Sequence, residues 1–248
     1  MNSLSVLVGT FYRNSYRQKA VLAVMVGLAL LLLAVLVALV SILALAPLLR
    51  SAKPDVAAVS RYLSLLAFGA AFIGMGMNLN VFTANSLVKE KAQGLYESLL
   101  AAPVGVRRFW SAKSLTVFLP GLAIGEAMAL AVYLGVDLLL VAPRLGFLAS
   151  PGMLVAAFVL VPLVYLPLSY LVIFVGLVGN PVSGNVIANV VFSGLITILI
   201  NVVARGGVSP GSPGFALACA CVALVEAVLV LALGRRLTKE RVILSCKA

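Results

Sequence analysis

Long apolar runs separated by short polar intervals set the pattern of this chain. Six runs, at about 20–48, 62–86, 114–140, 153–178, 185–203 and 214–234, carry few charges or none. A bilayer core about 30 Å thick takes roughly 20 apolar residues per helical span. The runs are too long for strands and lack two-residue alternation, which predicts helices. A helix also satisfies its own backbone in lipid. The expected fold is an all-α membrane protein with six transmembrane helices, a single membrane domain over 1–248. The first run, about 29 residues or roughly 43 Å long, must tilt or project. It is far longer than the apolar core of a signal peptide, so it is read as a span although Ala44-Leu45-Ala46 imitates a cleavage site.

The polar intervals differ in character. Residues 3–19 place Leu4, Leu7, Val8 and Phe11 at helical spacing, with Arg13 and Arg17 one turn apart and Tyr12 and Tyr16 among them. That pattern predicts an interfacial helix lying in the membrane surface. The interval at 49–61 is polar, that at 141–152 carries Pro143 and Pro151, the GNPVSGN connection between the fourth and fifth runs is short, uncharged and tight, and 204–213 is short and flexible. Residues 89–113, KEKAQGLYESLLAAPVGVRRFWSAK, are unlike the rest: seven of the chain's charges fall here, with two Gly, a Pro and a Trp. The second run continues as a charged helical arm, Gly94 suits a helix C-terminal break, and LYESLLA follows as a short amphipathic helix that Pro103 stops. The prediction is a helical hairpin between helices 2 and 3. Phe109 and Trp110 would return the chain to the interface, where Lys113 extends its amine to water.

Charge orients the bundle. The net charge is +11, which in a soluble protein would suggest nucleic acid. Here, with both termini cytoplasmic, 13 of the 18 basic residues fall on the inner side, as the positive-inside rule requires. Mean hydropathy of +1.20 fits that membrane reading and no nucleic-acid partner is expected. The chain has no His. Cys219, Cys221 and Cys246 form no framework, and a metal site is not expected. No internal repeat of the kind common in secondary transporters relates the two halves.

EKAQGLYESLLAAPVGVRRFWSAKSL resembles the cytoplasmic signature of ABC-2 type transporter permeases. Glu90, Lys91, Gly94, Glu97, Leu99, Leu100, Pro103 and Lys113 fall at the signature's positions. Leu95 replaces the usual Thr after the Gly. The six-span layout, the helix before the first span and the length fit the same family. The resemblance implies the membrane subunit of an ATP-driven ABC exporter in a plasma (inner) membrane, of prokaryotic type. It implies a second permease subunit, identical or homologous, and two copies of a separate ATPase subunit. It makes the coupling segment 89–113 the contact with the ATPase, with Glu90, Gly94, Glu97 and Pro103 shaping it and Leu95 and Leu99 as apolar anchors. No phosphate-binding G-x-x-x-x-G-K-[ST] occurs in the chain, so ATP and Mg are expected on the partner and no cofactor on this chain.

Polar residues inside the spans leave two readings open. Asn185, Asn189, Ser193, Thr197 and Asn201 recur every four residues in the fifth run, and Asn78 and Asn80 follow Ala70 and Gly74 in the second. They glue helices together or line a translocation path. Glu126 and Glu226 lie mid-span, where an acid costs roughly 2.5–3.5 kcal/mol. They are either hydrogen-bonded structural groups or part of the path. Asp137, near the outer end of the third span, is expected to be solvated. The alternatives to an exporter subunit are an ion- or proton-coupled secondary transporter using Glu126 and Glu226, and an anchoring subunit. An enzyme is the least expected class, since no nucleophile–base pair appears.

Overall fold

In a computed structural model of the chain, the described residues are 3–15, 19–51, 53–82, 87–94, 96, 105–179, 186, 190, 194 and 209–247. Eleven α-helical segments are described: α1 (Ser3–Ser15), α2 (Lys19–Val40), α3 (Ala46–Arg50), α4 (Val56–Phe82), α5 (Val88–Ala92), α6 (Val106–Val136), α7 (Ala142–Leu145), α8 (Pro151–Val155), α9 (Val161–Val178), α10 (Pro213–Arg235) and α11 (Lys239–Lys247). Wider π-helical turns at Ser41–Leu45, Asp137–Val141 and Ala156–Leu160 join α2 to α3, α6 to α7 and α8 to α9. No strand occurs among the described residues. Among the described residues, five helices are long and apolar enough to cross a membrane: Val26–Arg50, Val56–Asn80, Val106–Leu145, Pro151–Val178 and Pro213–Arg235. The sixth expected span, 185–203, lies outside the described residues.

Local chemistry starts several of these helices. Asp55 Oδ1 accepts from the backbone N–H groups of Ala57 and Ala58 at 3.0 and 3.2 Å, opening α4. The Ser150 and Ser212 hydroxyls accept from Met153 and Phe215 N–H and open α8 and α10. Each satisfies a donor that the first helical turn leaves unpaired.

The core lies between α4 and α6. Their backbones meet at Gly74 and Gly125: a Cβ on Gly74 would stand 2.7 Å from Gly125 Cα, and one on Gly125 would stand 2.7 Å from Ala71 O. Small residues admit this approach where lipid supplies no hydrophobic drive. One turn along, the buried Asn78 Nδ2 donates to Val117 O at 2.8 Å. Pro120 has no N–H for the Thr116 carbonyl one turn back, and the amide donates to the next carbonyl, that of Val117. The outer surfaces are different. Helix α4 is mostly buried, whereas the α2 and α10 spans are mostly exposed and present Leu and Val outward, as lipid-facing helices do.

The third span begins at Val106 rather than near residue 114, so residues expected in the polar interval form its first two turns. At the far end, Asp137 is fully buried instead of solvated. Its Oδ1 accepts from Leu148 N at 3.4 Å, and Tyr133 donates to Leu148 O at 3.2 Å. The chain turns back over the carboxyl at Gly146, whose φ is +77°, and this fold-back removes it from solvent.

Candidate functional site at the basic end of the bundle

The ends of α4, α6, α9 and α10 meet α1, α5 and α11 at one end of the bundle. Arg13, Lys89, Arg107, Arg108, Arg235, Arg236, Lys239 and Arg241 are exposed there, against Glu240 as the exposed described acid. Beneath this basic surface lies a buried polar cluster. Short helix α5 directs Lys89 outward and Glu90 and Lys91 inward. Glu90 forms an ion pair with Lys113 of α6, and the two side chains are 4% and 0% exposed. Tyr96 Oη donates to the same Glu90 oxygen at 3.2 Å. The Lys113 amine also lies 4.7 Å from the ring centre of Phe11 on α1 and 5.1 Å from that of Phe82 on α4. One cation is thus held by a carboxylate and two aromatic rings from three other helices. Breaking such a buried pair on one side leaves a bare charge in a poor solvent.

Aromatic packing extends the junction. Phe109 of α6 meets Phe11 and Tyr96 edge to face, each at 5.4 Å between ring centres. Trp110 Nε1 donates to Tyr170 O at 3.0 Å, and its ring packs against Tyr170 and Phe174 of α9. Gly234 of α10 lies under the Trp110 ring, where a Cβ would stand 2.8 Å from Cζ3. Two donors satisfy the carbonyls where α9 ends: Lys91 Nζ to Gly179 O, and Ser245 Oγ of α11 to Leu177 O. These are the carbonyls a helix C-terminus leaves unpaired, and a lysine is favoured there.

Several expectations can be located. Gly94 ends α5 with φ +65° and its N–H bonds Lys91 O at 3.1 Å, as its proposed role as a helix break requires. Helix α1 is present, but its apolar side is not turned to lipid: Phe11 is in the core, with Leu7 and Val8 packed against it. Phe109, Trp110 and Lys113 were expected at the interface and are buried instead. Lys113 does not extend to water because Glu90 meets it from the inside. Leu95, Glu97, Leu99, Leu100 and Pro103 lie outside the described residues, as do Asn185, Asn189, Ser193, Thr197 and Asn201.

Of the remaining polar candidates, Asn78 and Asn80 lie within about one turn of Phe82 on α4, and Glu126 and Glu226 lie further along their spans. Asn78 is committed to Val117 O, with Tyr165 Oη 3.4 Å from its amide. Asn80 is half-buried two residues beyond. Glu126 is half-buried on α6, beside the Gly74–Gly125 contact. Glu226 is buried in the middle of α10, and its Oε2 has no hydrogen-bond partner among the described residues. Sequence reasoning missed the roles of Phe11, Phe82, Tyr96 and Gly234. Phe11 on the apolar stripe of α1 was a signal that the helix packs on something, but not on what.

No family model, curated protein or solved structure matches this chain.

Proposed function

We propose that this chain is the membrane-spanning permease subunit of an ATP-driven ABC exporter. It would work by alternating access in a pair of permease subunits, with energy from separate ATPase subunits that carry ATP and Mg. The observation that carries the reading is the ordered set Glu90, Lys91, Gly94, Glu97, Leu99, Leu100, Pro103 and Lys113. It falls on a segment tied into the bundle by Glu90 and Lys91 and turned at Gly94. A segment that receives mechanical work needs stiff attachment, and a buried ion pair with a ring-packed surround is stiffer than a solvated loop. The basic end would face the cytoplasm, by the positive-inside rule, in the plasma membrane of a prokaryote.

Extraction in mild detergent followed by identification of co-purifying chains tests this directly. An ATPase subunit in stoichiometric amount is the expected result. Glu97→Arg should leave the protein inserted while ATP hydrolysis no longer drives transport. Full coupled export by that variant, or the absence of any ATPase partner, sinks the assignment.

A second reading rests on Glu226. A buried carboxyl oxygen without a described partner, mid-span, is the kind of group that handles protons or cations. Under that reading, with Glu126, the chain is an ion- or proton-coupled transporter. Transport that survives without an ATPase but collapses with the proton gradient selects it.

A further inference from the structure

We infer that the groove between the first and third spans, at the end of the bundle away from the basic surface, holds one acyl chain of an anionic phospholipid, with the lipid phosphate on the Arg144 guanidinium. The inference does not depend on the permease reading above.

Small residues make the groove. Ala34, Ala38 and Ser41 of the first span and Ala131, Gly135 and Leu139 of the third line a space of about 560 Å³. That is within the usual range of about 300–1,000 Å³ for a ligand site. A Cβ on Gly135 would meet nothing within 4 Å, so neither helix fills the space between them. Ala34, Ala38 and Ala131 are exposed and Leu139 is 78% exposed. The groove therefore opens on lipid and not on the core.

Length points to the kind of occupant. From Ala131 to Leu140, the last lining residue, the wall rises about 14 Å. That is close to half of a hydrocarbon core about 30 Å thick. An acyl chain of one leaflet fits this length, whereas a helix of a second copy needs a furrow across the whole bilayer.

Charge points to the headgroup. Arg144, one turn beyond Leu140, donates from Nη1 to Leu49 O. The bond bridges the continuations of the two walls and uses one of five guanidinium donors. Arg144 is exposed, as are Arg50, next to Leu49 in sequence, and Lys53. Among the described residues none of the three is in an ion pair. Asp55, close by in sequence, is engaged with the Ala57 and Ala58 N–H groups. A guanidinium takes a phosphate through two parallel N–H groups. A phospholipid seated there has its phosphate at the water boundary and one chain directly below, between α2 and α6. A zwitterionic headgroup would bring its ammonium into the same cationic cluster, so a headgroup of net negative charge is preferred.

The test uses the full chain in vesicles of equal parts phosphatidylglycerol and phosphatidylcholine, with a diazirine in the acyl chain of one lipid or the other. Adducts are mapped by mass spectrometry. The phosphatidylglycerol diazirine should label residues 34–41 and 131–140 about fivefold more than the phosphatidylcholine one, the factor that one basic residue near the surface supplies. Arg144→Gln, which keeps a donor for Leu49 O, should bring the ratio close to one. Gly135→Phe should remove both labels from the groove and leave the labelling of α10 as it was. Should Arg144→Gln fail to fold, Arg50→Gln leaves the Leu49 bond in place and should lower the ratio part of the way. Equal labelling by the two lipids in the parent, groove labelling no greater than that of α10, or a ratio unmoved by the folded arginine variant overturns the inference. So does a dimer, counted by native mass spectrometry, that Gly135→Phe dissociates, because the groove would then be an interface between copies of the chain.

Discussion

At the scale of single residues, Lys113 shows how far environment overrides type. A lysine in the second turn of a span ordinarily sends its amine toward water. Here the amine points at Glu90, under the rings of Phe11 and Phe82. Taking two charges from water costs about as much as their attraction returns, while stranding one of them costs about 3–5 kcal/mol. Lys113→Met alone should therefore destabilise the protein by about that much in detergent. Glu90→Gln added to it should recover most of the loss. A double variant as unstable as the single would show that packing around the Lys stem matters more than charge pairing. Gly94 belongs at this scale too. Its φ of +65° puts any side chain in the left-handed region, so Gly94→Ala should cost about 1–2 kcal/mol with Glu90 and Lys113 intact, read as a lower unfolding temperature. Glu90 and Gly94 were legible because their types are unusual in so apolar a chain. The partner of Glu90 was not, since 23 residues of sequence separate the pair and nothing in spacing says that a terminal lysine turns inward.

At the scale of elements, periodicity and composition located the five described spans, because lipid demands long apolar helices whatever their neighbours. They did less well at the ends. Phe109 and Trp110 are the aromatics expected at an interface, and in the structure they are the wedge that holds α6 against α1, α9 and α10. A one-dimensional pattern does not separate a ring facing headgroups from one facing another helix. Small residues were more informative. Gly74 was visible as a site of close approach, and its counterpart Gly125 lies on the facing helix. The test is steric. Gly125→Leu has no space to collapse into, since Ala71 O and Met75 already bound the site, and should cost about 1–3 kcal/mol or more. Leu substituted for the neighbouring Ala123, which is exposed on the same helix, should be nearly neutral. Equal losses in thermal unfolding at the two sites would mean that helix α6 does not meet α4 through this face.

At the scale of the whole molecule, the described ends constrain the path of the chain. Gly179 lies at the basic end, where Lys91 reaches its carbonyl. Gly211 lies at the opposite end, packed on Gly152 where α8 begins. From there α10 returns to the basic end, bringing Gly234 beneath Trp110. A further crossing between Gly179 and Gly211, which the apolar run at 185–203 supplies in sequence, would complete six spans and leave both termini on one side. Charge then decides which side, since Lys89, Arg108 and Arg236 share the basic end while Lys53 and Arg144 belong to the other. Single cysteines at these five positions, in a cysteine-free background, should divide into two classes toward a membrane-impermeant thiol reagent. In intact cells Lys53→Cys and Arg144→Cys should be labelled, and Lys89→Cys, Arg108→Cys and Arg236→Cys only after the membrane is opened. The opposite division would put the Glu90 segment outside, beyond the reach of a cytoplasmic ATPase. Labelling of Lys89→Cys and Arg236→Cys from different sides would break the six-span count itself, because α5 and the end of α10 would no longer share a face.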